Sequence, residues 1–518
     1  MCGIVGLWNA ADDEGFVAEG MRRMIHRGPD AEGTYPGSAT PDRDRAGGLL
    51  GHRRLSIMDP AGGDQPIVCG STGRAIIANG EIYNAPSLRS ELSDRHAFAT
   101  GSDTEAALHL YDGLAERTAE RLDGMFAVAI ADGPDLYLAR DAIGIKPLYV
   151  GRRDGALAFA SELKALVGQA DDVKEFPPGT WFHTRRGWGR FYEVPQRHAL
   201  ALDEREHCRR LRDALERAVA KRMMSDVPVG AFLSGGLDSS ILAAMVRRHV
   251  DALHTFSVGI EGSDDLQAAR RVAEHLDTIH HEYVLTPAEI RQKLPEIVYH
   301  LESYDQDLVR SAIPCYFTSR LAAEHVKVVL TGEGADELFA GYAYYKAMDA
   351  ADEQSLHDEL RRSVASLHNV NLQRVDRLTM AHSLEGRVPF LDAELIALSL
   401  TIPAGLKLRR CGSRRVEKYV LRRACADLLP DEIVWRDKQQ FDEGSGTTDV
   451  VTTATADMLD ASGWHAYAAR HRQQRLRSAE ECAYHRLLCT AYDHSPVVLD
   501  NVARWAERPS DGVPSEVT

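Results

Sequence analysis

From residue 1 to about residue 197, apolar positions come in short runs, such as 75–78, 125–130 and 157–160, bounded by Gly, Asp and Asn. Runs of that length between turn formers predict strands. The period changes after 199–206, a stretch of charged residues between weak apolar ones, where Leu211, Leu215 and Val219 recur at helical spacing. Beyond it, the apolar runs 227–233, 255–260 and 326–330 alternate with helical segments. That alternation is the βαβ pattern of a parallel sheet with helices on its faces. From about residue 354 the pattern is nearly all helical, and 508–518, rich in Pro, Ser, Gly and acids, reads as a disordered tail. The expected organisation is a strand-rich unit over 1–197, a linker over 198–206, an α/β unit over 207–507 and a tail over 508–518. No internal repeat is evident.

Composition narrows the chemistry. The chain has 518 residues, 44% hydrophobic and 27% charged, with 61 Lys plus Arg against 77 Asp plus Glu, a net charge of −16. At roughly 100–200 residues per domain, more than one core is expected. An acidic surface repels phosphate backbones and anionic lipid, so neither a nucleic acid nor a membrane is an expected partner. No stretch reaches the roughly 18 apolar residues of a membrane span. The 8 cysteines are scattered, with no C-x-x-C pair and no Cys/His ligand spacing, which fits a reducing, cytoplasmic setting.

The chain opens Met1-Cys2-Gly3-Ile4-Val5-Gly6. Removal of the initiator Met would leave the Cys2 thiol beside its own α-amine, whose reference pKa is about 7.7–8.0. A fraction of that amine is then free base near neutral pH, so one residue supplies nucleophile and base together. The plainer alternative is a small apolar residue beginning a strand. Turn-like clusters follow in which polar residues flank glycine: 26–30 (HRGPD), 52–56 (HRRLS), 79–84 (NGEIYN) and 101–103 (GSD). Opening a glutamine amide needs a cation for the α-carboxylate, an anion for the α-ammonium and two donors for the oxyanion. Arg54, Asp103, and Asn79 with the Gly80 N–H suit those roles.

With the further segments 124–127 (GMFA), 140–149 (RDAIGIKPLY) and 160–164 (ASELK), the first part resembles the class II glutamine amidotransferase domain, an N-terminal-nucleophile αββα sandwich. The resemblance implies Cys2 as nucleophile, Asn79 and Gly80 as oxyanion hole, and Arg54, Asn79, Glu81 and Asp103 as glutamine-binding residues.

In the second part the run 227–233 leads into Ser234-Gly235-Gly236-Leu237-Asp238-Ser239-Ser240 and then a helical stretch. Glycines admit phosphate oxygens close to the backbone, and N–H groups at a helix start donate to them. Asp238 would repel a bare phosphate, so its natural role is to hold Mg²⁺. No G-x-x-x-x-G-K-[ST] loop occurs. A second Gly-rich turn, 330–342 (LTGEGADELFAGY), brings Glu333, Asp336 and Glu337 together, a cluster that also calls for a cation.

The pattern Ser-Gly-Gly-x-Asp-Ser resembles the pyrophosphate loop of ATP pyrophosphatases. Together with 387–392 (RVPFLD) and 435–441 (WRDKQQF), the whole from Cys2 to about Gly446 resembles glutamine-dependent asparagine synthetases. The resemblance implies ATP as substrate, with Leu233, Val258, Thr331 and Gly332 at the adenosine. It puts Ser234, Gly235, Gly236, Asp238, Ser239 and Lys438 at the phosphates, Asp238 and Asp336 at Mg²⁺, and Arg310 and Glu333 at the acceptor. Small-molecule substrates are the expected partners, and a homodimer is left open.

Two segments depart from the family pattern. Asp307 and Leu308 stand where the best-known bacterial enzymes carry two threonines, and Gln439-Gln440-Phe441-Asp442-Glu443-Gly444 replaces the usual Glu-Gln-Phe-Ser-Asp-Gly. The leading acceptor is aspartate. The alternatives are another amino acid or pathway carboxylate, or a non-catalytic glutamine or nucleotide sensor, against which intact Cys2, Asp103, Asp238 and Lys438 count.

Overall fold

The computed structural model describes residues 2–10, 14–36, 47–348, 353–412, 414–437, 444–446 and 463–505. Lys438, the rest of 438–443 and the expected tail 508–518 lie outside these residues.

The first part is built on strands β1 (Cys2–Trp8), β2 (Ala31–Tyr35), β3 (Gly48–Arg54), β4 (Ile67–Val68), β5 (Ala75–Ile82), β6 (Gly124–Asp132), β7 (Asp135–Arg140), β8 (Tyr149–Arg153), β9 (Ala156–Ala160), β10 (Asp171–Glu175), β11 (Thr180–His183) and β12 (Gly187–Arg190). They form two six-stranded sheets, ordered β10-β8-β9-β1-β3-β2 and β12-β11-β7-β6-β5-β4. Every pairing in both is antiparallel. Because side chains alternate across a strand, each sheet has one face for its partner sheet and one for helices. Ile4, Trp8, Leu50, Ile77, Ala127, Ala129, Leu138 and Phe159 meet between the sheets. On the outer face of the first sheet, Val5 and Leu7 pack on Phe16, Val17 and Met21 of α1 (Glu14–Arg23). On the second, Ile76, Ala78 and Val128 pack on α2 (Ala85–Leu92) and α3 (Thr104–Leu114). The layers are therefore αββα.

The second part begins with α4 (Glu204–Lys221), whose N-cap Asp203 accepts from the Glu206 N–H. Then come β13 (Val229–Phe232), α5 (Leu237–Val246), β14 (His254–Gly259), α6 (Asp264–Leu276), β15 (Ile279–Val284), α7 (Pro287–Leu301), α8 (Gln306–Ala323), β16 (Val328–Leu330), α9 (Ala335–Phe339) and β17 (Glu385–Arg387). The five strands run parallel in the order β15-β14-β13-β16-β17. The chain builds outward from β13 to β15, then crosses to the other side of β13 for β16 and β17. The point of reversal lies between β13 and β16, and ligands of open α/β sheets bind beyond the strand ends at such a point.

Two expectations need correction. α5 starts at Leu237, so Asp238, Ser239 and Ser240 belong to its first turn rather than to a preceding loop. The stretch beyond residue 354 is not all helical. It contains β17 and a hairpin, Arg409–Cys411 with Arg414–Val416. β17 reads Glu-Gly-Arg and is fully buried through ion pairing rather than apolar burial, so it carries no hydrophobic period.

Candidate active site

The alternation that builds the sandwich also builds its site. Cys2 shares a strand face with Ile4 and Trp8, and Asn79 and Glu81 share one with Ile77, so both sets face the gap between the sheets. The Cys2 N–H donates to Asn79 Oδ1 at 3.1 Å, and Arg27 Nε donates to the Cys2 carbonyl at 2.9 Å. Burial pushes the Cys2 thiol up, opposed by a hydrogen bond from the Leu55 backbone. Asn79 is fully buried, and its Nδ2 has no hydrogen-bond partner. Buried amides are rarely left so, and a donor held idle beside a nucleophile suits an oxyanion that exists only during reaction. Gly80 has φ +147, and a Cβ there would lie 1.9 Å from the Met125 carbonyl oxygen. No other residue fits.

Asp103 accepts from the Ile82 N–H at 2.6 Å and is pushed up to about 6, chiefly by burial. Burial also drives Glu81 well above the usual carboxylate range, with Glu385 and Asp103 adding to it. Glu385 is held low despite its burial by positive neighbours, Arg387 among them. The Arg387 guanidinium donates to Glu385 at 2.5 Å and lies 3.6 Å from Glu81. The edge strand of the second part thus walls the pocket of the first, which local sequence pattern did not signal. Arg54 is more committed than expected. Its guanidinium holds the 58–64 turn through Asp64 Oδ1 at 2.5 Å and the carbonyls of Met58, Asp59 and Pro60.

A cavity of about 280 Å³ opens at the reversal point of the parallel sheet. Leu233, Ser234, Gly236, Asp238, Ser239, Val258, Thr331 and Gly332, which the family resemblance implies at ATP, line it together with Glu333 and Asp336, which it implies at the acceptor and at Mg²⁺. Gly235 lies behind it at φ +70, where a Cβ would meet Ala268 and Ala269 at 2.5 Å. Ser239 Oγ bridges the loop, accepting from the Ser234 N–H at 3.2 Å and donating to the Gly236 carbonyl at 3.2 Å. Asp238 and Asp336 converge on one buried cation, Lys418 Nζ, at 2.5 and 2.6 Å.

Glu333 pairs with Arg374. Glu337 accepts from Tyr342 Oη at 2.6 Å and Asn371 Nδ2 at 3.0 Å. The acids of this turn thus have protein partners. Arg310 does not line the cavity; it pairs with Glu480 at 2.8 and 2.6 Å. Asp307 and Ser311, its neighbours on α8, do line it, and Asp307 pairs with Arg477 at 3.1 Å rather than with Arg310. Sequence reasoning missed Lys418, Arg374, Asn371, Tyr342 and Trp505, all at the cavity wall.

The helix Asn371–Met380 joins the two sites. Asn371 and Arg374 face the cavity, while Asp376 accepts from Arg27 at 2.7 and 3.2 Å, one residue's reach from Cys2. Around this contact Glu162, Lys164, Glu302 and Arg377 form a dry charge network, each at most 2% exposed.

A buried cysteine at the start of β1 between two antiparallel sheets, joined to a Ser-Gly-Gly-x-Asp-Ser motif at the reversal point of a parallel sheet, defines a two-site glutamine amidotransferase. Comparison with known proteins agrees. The glutamine amidotransferase domain family matches residues 1–181, and the asparagine synthase family matches 210–354 and 348–491. The glutamine-hydrolysing asparagine synthetase of Triphysaria versicolor is 39% identical over 469 residues, covering 86% of this chain and 78% of that protein. Asparagine synthetase 2 of Arabidopsis thaliana is 39% identical over 86% of this chain and 79% of its own. That of Asparagus officinalis is 38% identical over 92% and 81%. The chain belongs to the family of glutamine-hydrolysing asparagine synthetases. Among the described residues, no helix is long and apolar enough to cross a membrane.

Proposed function

We propose that this chain hydrolyses glutamine at Cys2 and uses the ammonia to amidate aspartate, with ATP cleaved to AMP and pyrophosphate. The observation that carries the reading is the idle, buried Asn79 amide beside Cys2 in a chain that also holds the nucleotide cavity. At the first site the α-amine of Cys2 takes the thiol proton, and the thiolate attacks the glutamine amide. Asn79 Nδ2 and the Gly80 N–H receive the oxyanion. Asp103 and Glu81 hold the α-ammonium, and Arg54, fixed by the 58–64 turn, offers its positive charge to the α-carboxylate. Ammonia leaves as the thioester forms, and water then releases glutamate.

At the second site the aspartate side-chain carboxylate attacks the α-phosphate of ATP and expels pyrophosphate. Ammonia then displaces AMP from the acyl-adenylate. Ser234, Gly236, Ser239 and Lys438 bind the phosphates, and Leu233, Val258, Thr331 and Gly332 hold the adenosine. Asp238 and Asp336, which already share one cation in Lys418, offer the hard oxygen donors that Mg²⁺ takes. Mg²⁺ there would neutralise charge on the departing pyrophosphate. The Glu333–Arg374 pair offers an anion and a cation for the acceptor's ammonium and carboxylate. Arg310, one position from Ser311, joins them by leaving Glu480. The units proposed are 1–197 and 207–507, linked by 198–206, with the dry 371–380 contact between sites keeping ammonia unprotonated.

Asparagine detected by mass spectrometry from glutamine, aspartate, ATP and Mg²⁺, with AMP in equal amount, is the expected result. Cys2→Ala should lose glutamine use and keep ammonia use, and Asp238→Asn should lose both. Release of ADP and phosphate, or amidation of another carboxylate but not aspartate, would overturn the reading.

A further inference from the structure

Near one edge of the parallel sheet, behind a wall of the cavity, three histidines far apart in sequence come together. His254 is the first residue of β14, His281 the third of β15, and His325 follows the last turn of α8. The parallel register sets His281 beside Phe256, two positions after His254, so both imidazoles rise from the same side of the sheet. The end of α8 lowers His325 onto them. His281 stacks on His325 with centroids 3.9 Å apart, and the His281 and His254 rings lie 6° from parallel. One ring nitrogen of each residue lies within 4.8 Å of the other two.

We propose that His254, His281 and His325 form a binding site for a late first-row divalent cation, Zn²⁺ foremost, distinct from the oxygen-donor pair in the nucleotide cavity. The geometry carries this. His254 Nδ1 and His281 Nε2 are 3.0 Å apart, close to the edge that two nitrogens about 2.0–2.1 Å from one metal subtend. The third ring is the most exposed of the three, and its nitrogen would complete the set. Three neutral imidazoles turned toward one cation would each offer it a ring nitrogen. Imidazole favours zinc, nickel and copper over magnesium. A fourth position faces solvent and takes water.

Such an ion would tie the C-terminal end of α8 to β14 and β15. Phe256, which packs against His281 and His325 at 5.2 and 5.8 Å, also borders the nucleotide cavity. The brace therefore sits behind one cavity wall. His280 is the built-in control, because its ring turns the other way, to Thr255 Oγ1 at 2.9 Å and Ser257 Oγ at 3.1 Å.

The test uses untagged full-length protein stripped with chelator and titrated with Co²⁺, followed by visible d–d absorption, and with Zn²⁺ by calorimetry. One equivalent should bind, and the thermal midpoint should rise with Zn²⁺ but not with Mg²⁺. His281→Gln and His325→Gln should each weaken binding by roughly tenfold or more, and His280→Gln should leave it unchanged. Because His325 is exposed, its variant will fold, which circular dichroism checks. No stoichiometric site in the wild type would overturn the proposal. So would Co²⁺ bands that persist in His281→Gln/His325→Gln, or bands lost instead with Cys69→Ser, which disrupts the second cluster of potential ligands at Cys69, His109 and Asp112.

Discussion

Asn79→Ala separates catalysis from stability. Asn79 Oδ1 accepts from the Cys2 N–H at 3.1 Å, while Nδ2 has no partner. Losing the acceptor leaves the buried Cys2 N–H unpaired, at a cost of about 1–3 kcal/mol. Removing a buried donor that bonds to nothing returns about 1–3 kcal/mol of desolvation penalty. The two nearly cancel, so the folded protein should keep its stability within about 1 kcal/mol. Catalysis has no such offset, because an oxyanion-hole donor is worth about 2.7–4 kcal/mol, or 10²–10³ in turnover. Glutaminase turnover should therefore fall by roughly 10²–10³ while ammonia-dependent synthesis stays at the wild-type rate. The assay pairs glutamate release with ammonia-supported AMP release on the same preparation, with urea denaturation alongside. Glutaminase turnover within about threefold of wild type, with stability intact, would refute the assignment of the idle amide.

Other expectations follow from the same geometry. With Asp103 pushed up to about 6 by burial, its carboxylate is lost as pH falls through that value, so the glutamine KM should climb below pH 6, and Asp103→Asn should flatten that limb; an unchanged acid limb in the variant would assign it elsewhere. Lys407 is fully buried, its Nζ has no partner, and burial lowers its pKa from 10.5 to about 7. The native state then sheds this proton near pH 7 and the unfolded state near 10.5. Between those values the unfolded state binds more protons, so this group makes stability rise with pH, by about 5 kcal/mol across the window. Lys407→Met should remove that rise and raise stability at pH 7, measured as the wild-type-minus-variant difference in urea unfolding at each pH. Arg310→Ala should lower aspartate-dependent AMP release at least tenfold and leave glutaminase activity alone; a stability loss with unchanged aspartate KM would make Arg310 only a brace for Glu480.

What local pattern can encode was legible in the sequence. The period of two along β1 and β5 sets Cys2 and Asn79 on inner faces, and the glycines at 80 and 235 mark backbone that no side chain permits. The strands flanking Ser234 and Thr331 announced the parallel sheet. What escaped was set by distant partners. Lys418 reaches Asp238 across 180 positions and Arg310 reaches Glu480 across 170, and no window of sequence holds both ends. β17 escaped because charge pairing replaces hydrophobic burial along it. Arg54 was singled out as a cation, but its demanding neighbours in the 58–64 turn appear only once the chain has folded back on itself.

In the proposed reaction one chain opens glutamine at Cys2 and transfers its nitrogen to aspartate at the cavity. Glutamine labelled at the amide nitrogen, supplied with aspartate, ATP, Mg²⁺ and an excess of unlabelled ammonium, tests it directly by mass spectrometry of the product. Asparagine from the wild type should carry the label, and Cys2→Ala should give unlabelled asparagine with the same AMP yield. Labelled asparagine from Cys2→Ala, or no asparagine from the wild type while ATP is still cleaved, would contradict it.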